Sequence, residues 1–364
     1  MIPISKPKLS DLELKNITDA VKSGWVSSLG RYIDAFEHKF AEFCGTKYAI
    51  SVCNGTVGLH LALKVLGIGD GDEVIVPDLT FVATANAVRM AQAKPVIVDV
   101  CRDSYCISPF AITKAITPKT RAIIPVHLYG HPANMPEIME IAHTHGLHVI
   151  EDAAEAHGAS IGGIRVGAFG DCGVFSFYGN KIITTGEGGM ITTNDHALYE
   201  RAKLLRDHAM SKSIRYWHTE VGYNYRMTNL QAAIGVAQLE QVDDFLMHRK
   251  NILDLYKDKL EGSGIECNPI VSAAPVVWMV CAIVDSLDRV RRDAVIGHMR
   301  ASGVDTRPFF FPISMLPMYK PENNPIAYKL SESGINLPTF VGMTEDQVTK
   351  SCSALLAALE KVQG

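Results

Sequence analysis

The sequence predicts an α/β fold: a mainly parallel central sheet followed by a smaller C-terminal α+β domain. Three observations carry that expectation. From Ala49 to about Thr193, short apolar runs alternate with helical stretches, as successive βα units require. At 364 residues the chain is too long for one small core, so one large and one smaller domain are expected. After Thr193 the alternation gives way to long helical spacing, which sets the domains at 1–240 and 241–364.

Taken in order, Ser10-Asp11-Leu12-Glu13 has a capping-box pattern, so a helix is expected over Asp11–Lys22, ended by Gly24. The loop Gly24 to Tyr32 brings aromatic, hydroxyl and cationic groups close together. Ile33, Phe36, Phe40 and Phe43 then recur at helical spacing. Strands are expected at Tyr48–Val52, Glu73–Val76, Pro95–Val98, Arg121–Val126, His148–Ile150, Cys172–Ser176 and Gly189–Thr193. Helices are expected near Gly55–Leu66, Thr80–Ala91, Pro109–Ala115 and Pro136–His145. Leu230, Ala233, Val236, Leu239 and Val242 lie close to one face of a long helix expected over Thr228–Leu260. Val276–Val284 reads as strand, and Asp288–Ala301 and Thr344–Leu359 as helices. The Pro- and Phe-rich run from Arg307 to Tyr319 is expected to be a long ordered loop and a pocket wall.

Several function classes are disfavoured. A net charge of -4 gives no reason to expect nucleic-acid or lipid binding. The N-terminus has no apolar core of signal-peptide length and no uncharged apolar run is long enough to span a bilayer, so the expected location is the cytoplasm. The eight cysteines include no CxxC pair and read as small buried residues in a reducing compartment. His143-Thr144-His145-Gly146 reads as a helix end, not a metal site. Gly67-Ile68-Gly69-Asp70-Gly71 lacks the GxGxxG spacing and precedes a strand, so a Rossmann dinucleotide site is not expected.

Three stretches carry chemistry. Asn54-Gly55-Thr56 follows a strand and opens a helix, where backbone N–H groups and a hydroxyl suit a phosphate; the same triplet is also a good helix cap. Val149-Ile150-Glu151-Asp152 ends an apolar strand on two carboxylates that alternation turns to opposite faces. Buried, such a group needs a cation such as a protonated pyridine; the alternative is a turn cap beside a solvent-facing acid. Lys181 stands alone between an apolar strand and Gly186-Glu187-Gly188-Gly189. A desolvated lysine so placed can form an imine, whereas most lysines are surface charges.

Together these motifs resemble those of fold-type I pyridoxal-phosphate (PLP) enzymes. Asn54-Gly55-Thr56, Glu151-Asp152-Ala153-Ala154-Glu155-Ala156-His157-Gly158, and Ser176-Phe177 followed by Lys181 occur in that order. With Gly24 to Gly30, Gly222 to Met227, Asp305 to Phe310 and Leu337-Pro338, the whole chain resembles the DegT/DnrJ/EryC1/StrS family of nucleotide-sugar aminotransferases.

The resemblance implies a PLP cofactor held as a Schiff base on Lys181 and cycling through pyridoxamine phosphate. Lys181 is implied to move the proton, and Asp152 to pair with the pyridine nitrogen. Gly55, Thr56 and Ser176 would hold the phosphate, and Phe81 would stack on the ring. Asn224 would reach the phosphate from a second subunit, implying a homodimer with shared sites. Glu155 stands where the family often has glutamine; a carboxylate there repels the cofactor's phenolate unless it is protonated or turned away. Trp25, Ser27, Arg31, Arg226 and Tyr319 are candidate sugar-nucleotide contacts, with packing or surface roles as the alternative.

The implied reaction moves an amino group from L-glutamate to C4 of a nucleotide-linked 4-keto-6-deoxy sugar, GDP-linked by the likeness of the N-terminal segment and of Phe175 to Met190. The alternatives are dTDP- or UDP-linked sugars. A related 3-dehydratase carries histidine in place of the lysine, and a non-catalytic PLP sensor would have lost the chemistry; intact Lys181, Asp152 and Ser176 argue against both.

Overall fold

Residues 1–268 and 273–363 are described by a computed structural model. Local signals set many of the element ends. Helix α1 (Asp11–Lys22) opens on the expected capping box: Glu13 accepts the Ser10 backbone N–H at 2.7 Å and the Ser10 hydroxyl accepts the Leu12 N–H at 3.3 Å. Helix α2 (Arg31–Cys44) stops at Gly45, whose φ of 72° is left-handed. The chain continues through β1 (Tyr48–Val52), α3 (Gly55–Val65), β2 (Glu73–Pro77), α4 (Ala83–Met90), β3 (Lys94–Val98), α5 (Pro109–Ala115) and β4 (Thr120–Ile123). Then come α6 (Met135–His145), β5 (His148–Asp152), the hairpin β6 (Ser160–Ile161) and β7 (Ile164–Arg165), β8 (Cys172–Ser176) and β9 (Gly189–Thr193). Helices α7 (His196–Arg206), α8 (Asn229–Glu240) and α9 (Val242–Leu260) follow. The remainder is β10 (Glu266–Cys267), β11 (Val280–Ile283), α10 (Arg289–Ala301), β12 (Arg307–Pro308), α11 (Pro325–Ser333), β13 (Gly334–Leu337) and α12 (Glu345–Gln363).

The large sheet has the order β1-β9-β8-β5-β4-β2-β3. Every neighbouring pair is parallel except those of β9, which runs antiparallel to both β1 and β8. The strand ends that carry Asn54, Asp152 and Ser176 therefore open on one edge. An antiparallel second sheet, β10-β11-β13-β12, is built entirely after residue 260.

Helices cover both faces of the large sheet because its strands are apolar on both sides. On one face Phe36 and Phe40 of α2 meet Phe175 and Phe177, with Phe40 at 4.9 Å from Phe175 and 5.3 Å from Phe177 between ring centroids. Each such buried ring contributes on the order of 2–3 kcal/mol, and the cluster anchors the strand from which Lys181 emerges. On the other face α3, α4 and α7 bury Leu59, Leu61, Leu63, Val88 and Leu205 against Ile50, Val74 and Val174.

Three expectations need correction. The helix expected from Thr80 starts at Ala83; ahead of it the buried Asp78 carboxylate accepts the Ser314 N–H at 2.7 Å. The single long helix over Thr228–Leu260 is two helices broken at Gln241, whose side-chain amide donates to Ala237 O and to Glu13. The loop from Arg307 contains the short strand β12 and a 3-10 turn at Ile313–Met315. Helix α11 and strand β13 were not expected, since Gly334–Leu337 is a four-residue run recognisable only by its pairing with β11 and β12. No helix among the described residues is long and apolar enough to cross a membrane.

Two buried histidines couple this packing to pH. His157 lies between the rings of Phe175 and Phe177, and burial pushes its imidazole down to about 3. Burial likewise lowers His131 to about 4. Their ordinary value of 6.5 applies in the unfolded chain, so below it the unfolded state binds protons that the folded state refuses. Stability is thus fully present above pH 6.5 and is lost as the pH falls toward about 4 and about 3. Each group contributes up to about 1.4 kcal/mol per pH unit. Thermal denaturation between pH 7 and about pH 4.5 is expected to show a falling midpoint, with a shallower slope in His157→Phe; an identical slope in the variant would remove His157 from the account.

Candidate active site

The strand ends gather the predicted residues. After β1, Asn54 caps α3 by accepting the Val57 N–H at 3.0 Å, so the first turn of α3 faces the end of β8. Gly55 makes that approach possible: a Cβ there would sit 3.1 Å from the Cβ of Ser176. A cavity of about 510 Å³ opens here, and Gly55, Thr56, Phe81, Asp152, Glu155, Ser176 and Lys181 all line it. Trp278 and Phe310 close its far side. Phe81 contacts Phe310 at 5.7 Å between ring centroids.

The two carboxylates at the end of β5 turn opposite ways and do different things. Glu151 is fully buried and accepts the Gly167, Phe169 and Gly170 N–H groups at 2.8, 2.8 and 2.9 Å. It also meets His127 Nε2 at 3.1 Å. Because His127 Nδ1 accepts the Ala133 N–H at 3.0 Å, its Nε2 carries the proton donated to Glu151. Glu151 therefore ties the loop after β7 to the sheet. Asp152 faces the cavity and accepts from Thr84 Oγ1 at 2.7 Å and the Ala154 N–H at 3.2 Å. Burial raises its carboxyl above the usual range, against the opposing pull of those donors and of Lys181. A buried carboxylate in this state gains most from a cation in the cavity.

Lys181 has close partners. It lies in an irregular segment after β8, with its N–H donating to Tyr178 O at 3.0 Å. Its Nζ is 3.3 Å from a Glu155 carboxylate oxygen and 3.9 Å from the centre of the Trp278 ring. The other Glu155 oxygen accepts the Tyr129 N–H at 2.9 Å. Tyr129 holds φ 55° and ψ 18°, a left-handed conformation uncommon for a bulky residue, and this aims its N–H at Glu155. Burial raises the Glu155 carboxyl, opposed first by Lys181 and then by the Tyr129 N–H. Glu155 is thus held by two donors, the Lys181 amine and the Tyr129 N–H.

The remaining candidates lie outside this cavity within one chain. Trp25 and Arg31 line a separate groove with Asp19 and Asn229, and Arg31 is paired to Asp19 at 2.6 Å. The Ser27 carbonyl accepts the Asn229 N–H. Arg226 pairs with Asp207 at 2.6 Å and donates to Asn224 Oδ1 at 3.1 Å. Tyr319 donates to Asn86 Oδ1 at 2.7 Å. Sequence reasoning missed Thr84, His127, Tyr129 and Trp278. Thr84 carried a signal, since it lies four residues after Thr80 in a hydroxyl-rich stretch, and the two hydroxyls are 3.3 Å apart. The others enter from elements whose place in space no local pattern reveals.

The donor set fits PLP. Helix-terminal N–H groups with Thr56 and Ser176 hydroxyls suit a phosphate, the cation-deficient Asp152 suits a pyridinium, and the Lys181 amine suits an aldehyde. A family model described as the DegT/DnrJ/EryC1/StrS aminotransferase family matches residues 7–356. The chain is 44% identical over 356 residues to GDP-perosamine synthase of Escherichia coli O157:H7, covering 97% of each. It is also 44% identical to GDP-perosamine synthase of Caulobacter vibrioides, covering 99% of this chain and 98% of that one. Spr1654 of Streptococcus pneumoniae, solved in its PLP form, superposes with a TM-score of 0.95 at 26% identity, covering 99% of each chain.

The two carboxylates are separable by substitution. Glu151→Gln strands buried N–H donors and is expected to cost on the order of 2 kcal/mol or more of stability, read as a lower melting temperature without added cofactor. Asp152→Asn is expected to keep that melting temperature and lose cofactor retention, read from the visible absorption of the purified protein. The reverse pattern would exchange their roles.

Proposed function

Since the chain belongs to the DegT/DnrJ/EryC1/StrS aminotransferase family, we propose that it converts GDP-4-keto-6-deoxymannose to GDP-perosamine, with L-glutamate as amino donor. It is a PLP-dependent sugar aminotransferase. The observation that carries the reading is Lys181, held beside Glu155 in a cavity that also contains the buried Asp152. Lysine at this position supports amination over dehydration. The GDP-sugar assignment rests on the two GDP-perosamine synthases at 44% identity.

When bound, PLP supplies the carbonyl that takes up the amine and a ring that accepts the electron pair left on the reacting carbon. Asp152 keeps the cation-binding end of the cavity negative. Gly55, Thr56 and Ser176 would hold the PLP phosphate and Phe81 would stack on its ring, all four lining the cavity. Lys181 Nζ takes the α-proton of glutamate in the first half-reaction and delivers a proton to C4 of the sugar in the second. One amine serves as base and acid because it stays beside the reacting carbon. Glu155 and Trp278 hold that amine in place.

The working form in this reading is a cytoplasmic homodimer. Asn224 lies outside its own chain's cavity, as do Trp25, Ser27, Arg31 and Arg226, so a partner subunit is what would bring such residues to the phosphate and sugar nucleotide. In this reading 1–240 is the cofactor-binding domain and 241–364 the smaller one, which contributes Trp278 and Phe310 to the cavity lining.

Two experiments test this. Incubating the enzyme with glutamate and GDP-, dTDP- or UDP-linked 4-keto sugars is expected to yield the 4-amino product from the GDP sugar; preference for another base would overturn the substrate. Lys181→Ala and Asn224→Ala are each expected to be inactive. Mixing them through unfolding and refolding is expected to restore roughly a quarter of wild-type activity, since half the dimers are mixed and each has one intact site. No recovery on mixing would rule out shared sites.

A further inference from the structure

The segment bearing Lys181 belongs to no helix or strand, so something else must fix where the amine points. Trp278, 5% exposed, enters from the second half of the chain and makes two contacts there. Its indole N–H donates to the backbone carbonyl of Asn180, the residue before Lys181, at 2.8 Å. Its ring face lies 3.9 Å from Lys181 Nζ. Trp278 is itself immobilised: its carbonyl accepts from the buried Arg249 at 2.8 Å, and its ring stacks on Tyr129 with an interplanar angle of 17°. Tyr129 in turn holds Glu155, the carboxylate partner of Lys181. The contacts close a ring: Lys181 to Glu155, Glu155 to Tyr129, Tyr129 to Trp278, and Trp278 back to Lys181.

We infer that Trp278 is a positioning residue for the Lys181 amine. Its N–H fixes the turn that carries the lysine, and its π face holds the amine on the cavity side, against Glu155. The ring face packs against the amine and restricts the directions in which it can point. The N–H contact sets the lysine backbone independently of charge. The two contacts act on different atoms, so they can be separated. The inference rests on the reading of Lys181 as the cofactor lysine.

The test uses the full-length protein. Cofactor-stripped wild type, Trp278→Phe and Trp278→Leu are mixed with PLP and quenched with borohydride over time. The amine adds to the aldehyde with loss of water, and hydride reduces the resulting C=N bond to a stable secondary amine, located by peptide mapping. Trp278→Phe keeps a ring face and loses the N–H; Trp278→Leu loses both. Because orientation is lost, labelling of Lys181 is expected to slow about threefold in Trp278→Phe and about tenfold in Trp278→Leu. In the loaded enzymes, circular dichroism per bound cofactor in the visible band is expected to fall in the same order. A role in packing alone would lower the melting temperature and leave both readouts unchanged. A wild-type labelling rate in Trp278→Phe overturns the inference, and this variant suffices if Trp278→Leu does not fold. Absence of label on Lys181 in the wild type would instead overturn the proposed function.

Discussion

Burial of the Asp152 carboxylate is the constraint on which the site depends. A carboxylate taken out of water is costly unless donors or a cation replace its hydration. The fold supplies two donors, Thr84 and the Ala154 N–H, and both come from chain that follows a parallel strand. What they leave unmet is the demand for positive charge. A cationic ring in the cavity would meet that demand, and the same electrostatics would keep such a ring protonated. The sheet topology makes the arrangement possible, because β1, β5 and β8 end on the same edge.

Glu151, the adjacent residue, shows how much direction matters. One peptide unit along the strand, the same functional group is consumed entirely by structure, accepting three backbone N–H groups and a histidine proton. Strand alternation alone separates a residue that holds a loop from one that lines the cavity. The aromatic residues divide in a similar way. Phe36, Phe40, Phe175 and Phe177 interlock under the sheet, whereas Tyr129, Trp278 and Phe310 gather at the cavity, where Tyr129 stacks on Trp278 at 6.0 Å and on Phe310 at 5.5 Å.

The sequence reading reached the fold through periodicity and caps. The ends of α1, β1, α5, β8 and β9 coincide with those expected, because each is set by a signal within a few residues. It failed where a distant partner decides. Gln241, at the break between α8 and α9, donates to Glu13, and Asp78, ahead of α4, accepts from Ser314. The candidate site was legible to a similar depth. Gly55, Thr56, Phe81, Asp152, Glu155, Ser176 and Lys181 converge on one cavity. The Glu155 oxygens face Lys181 and the Tyr129 N–H, contacts that its position in the sequence did not reveal.

By itself, the sequence determined which residue types stand at the strand ends and in what order, because alternation and capping are local properties of the chain. That was enough for the α/β class and for the family. Only the tertiary structure decided what surrounds the lysine. Glu155 lies 26 residues before it, and the Trp278 carbonyl that locks the indole is bonded by Arg249, 29 residues away. Contacts across such separations are set by packing of whole elements, and no spacing rule along the chain encodes them.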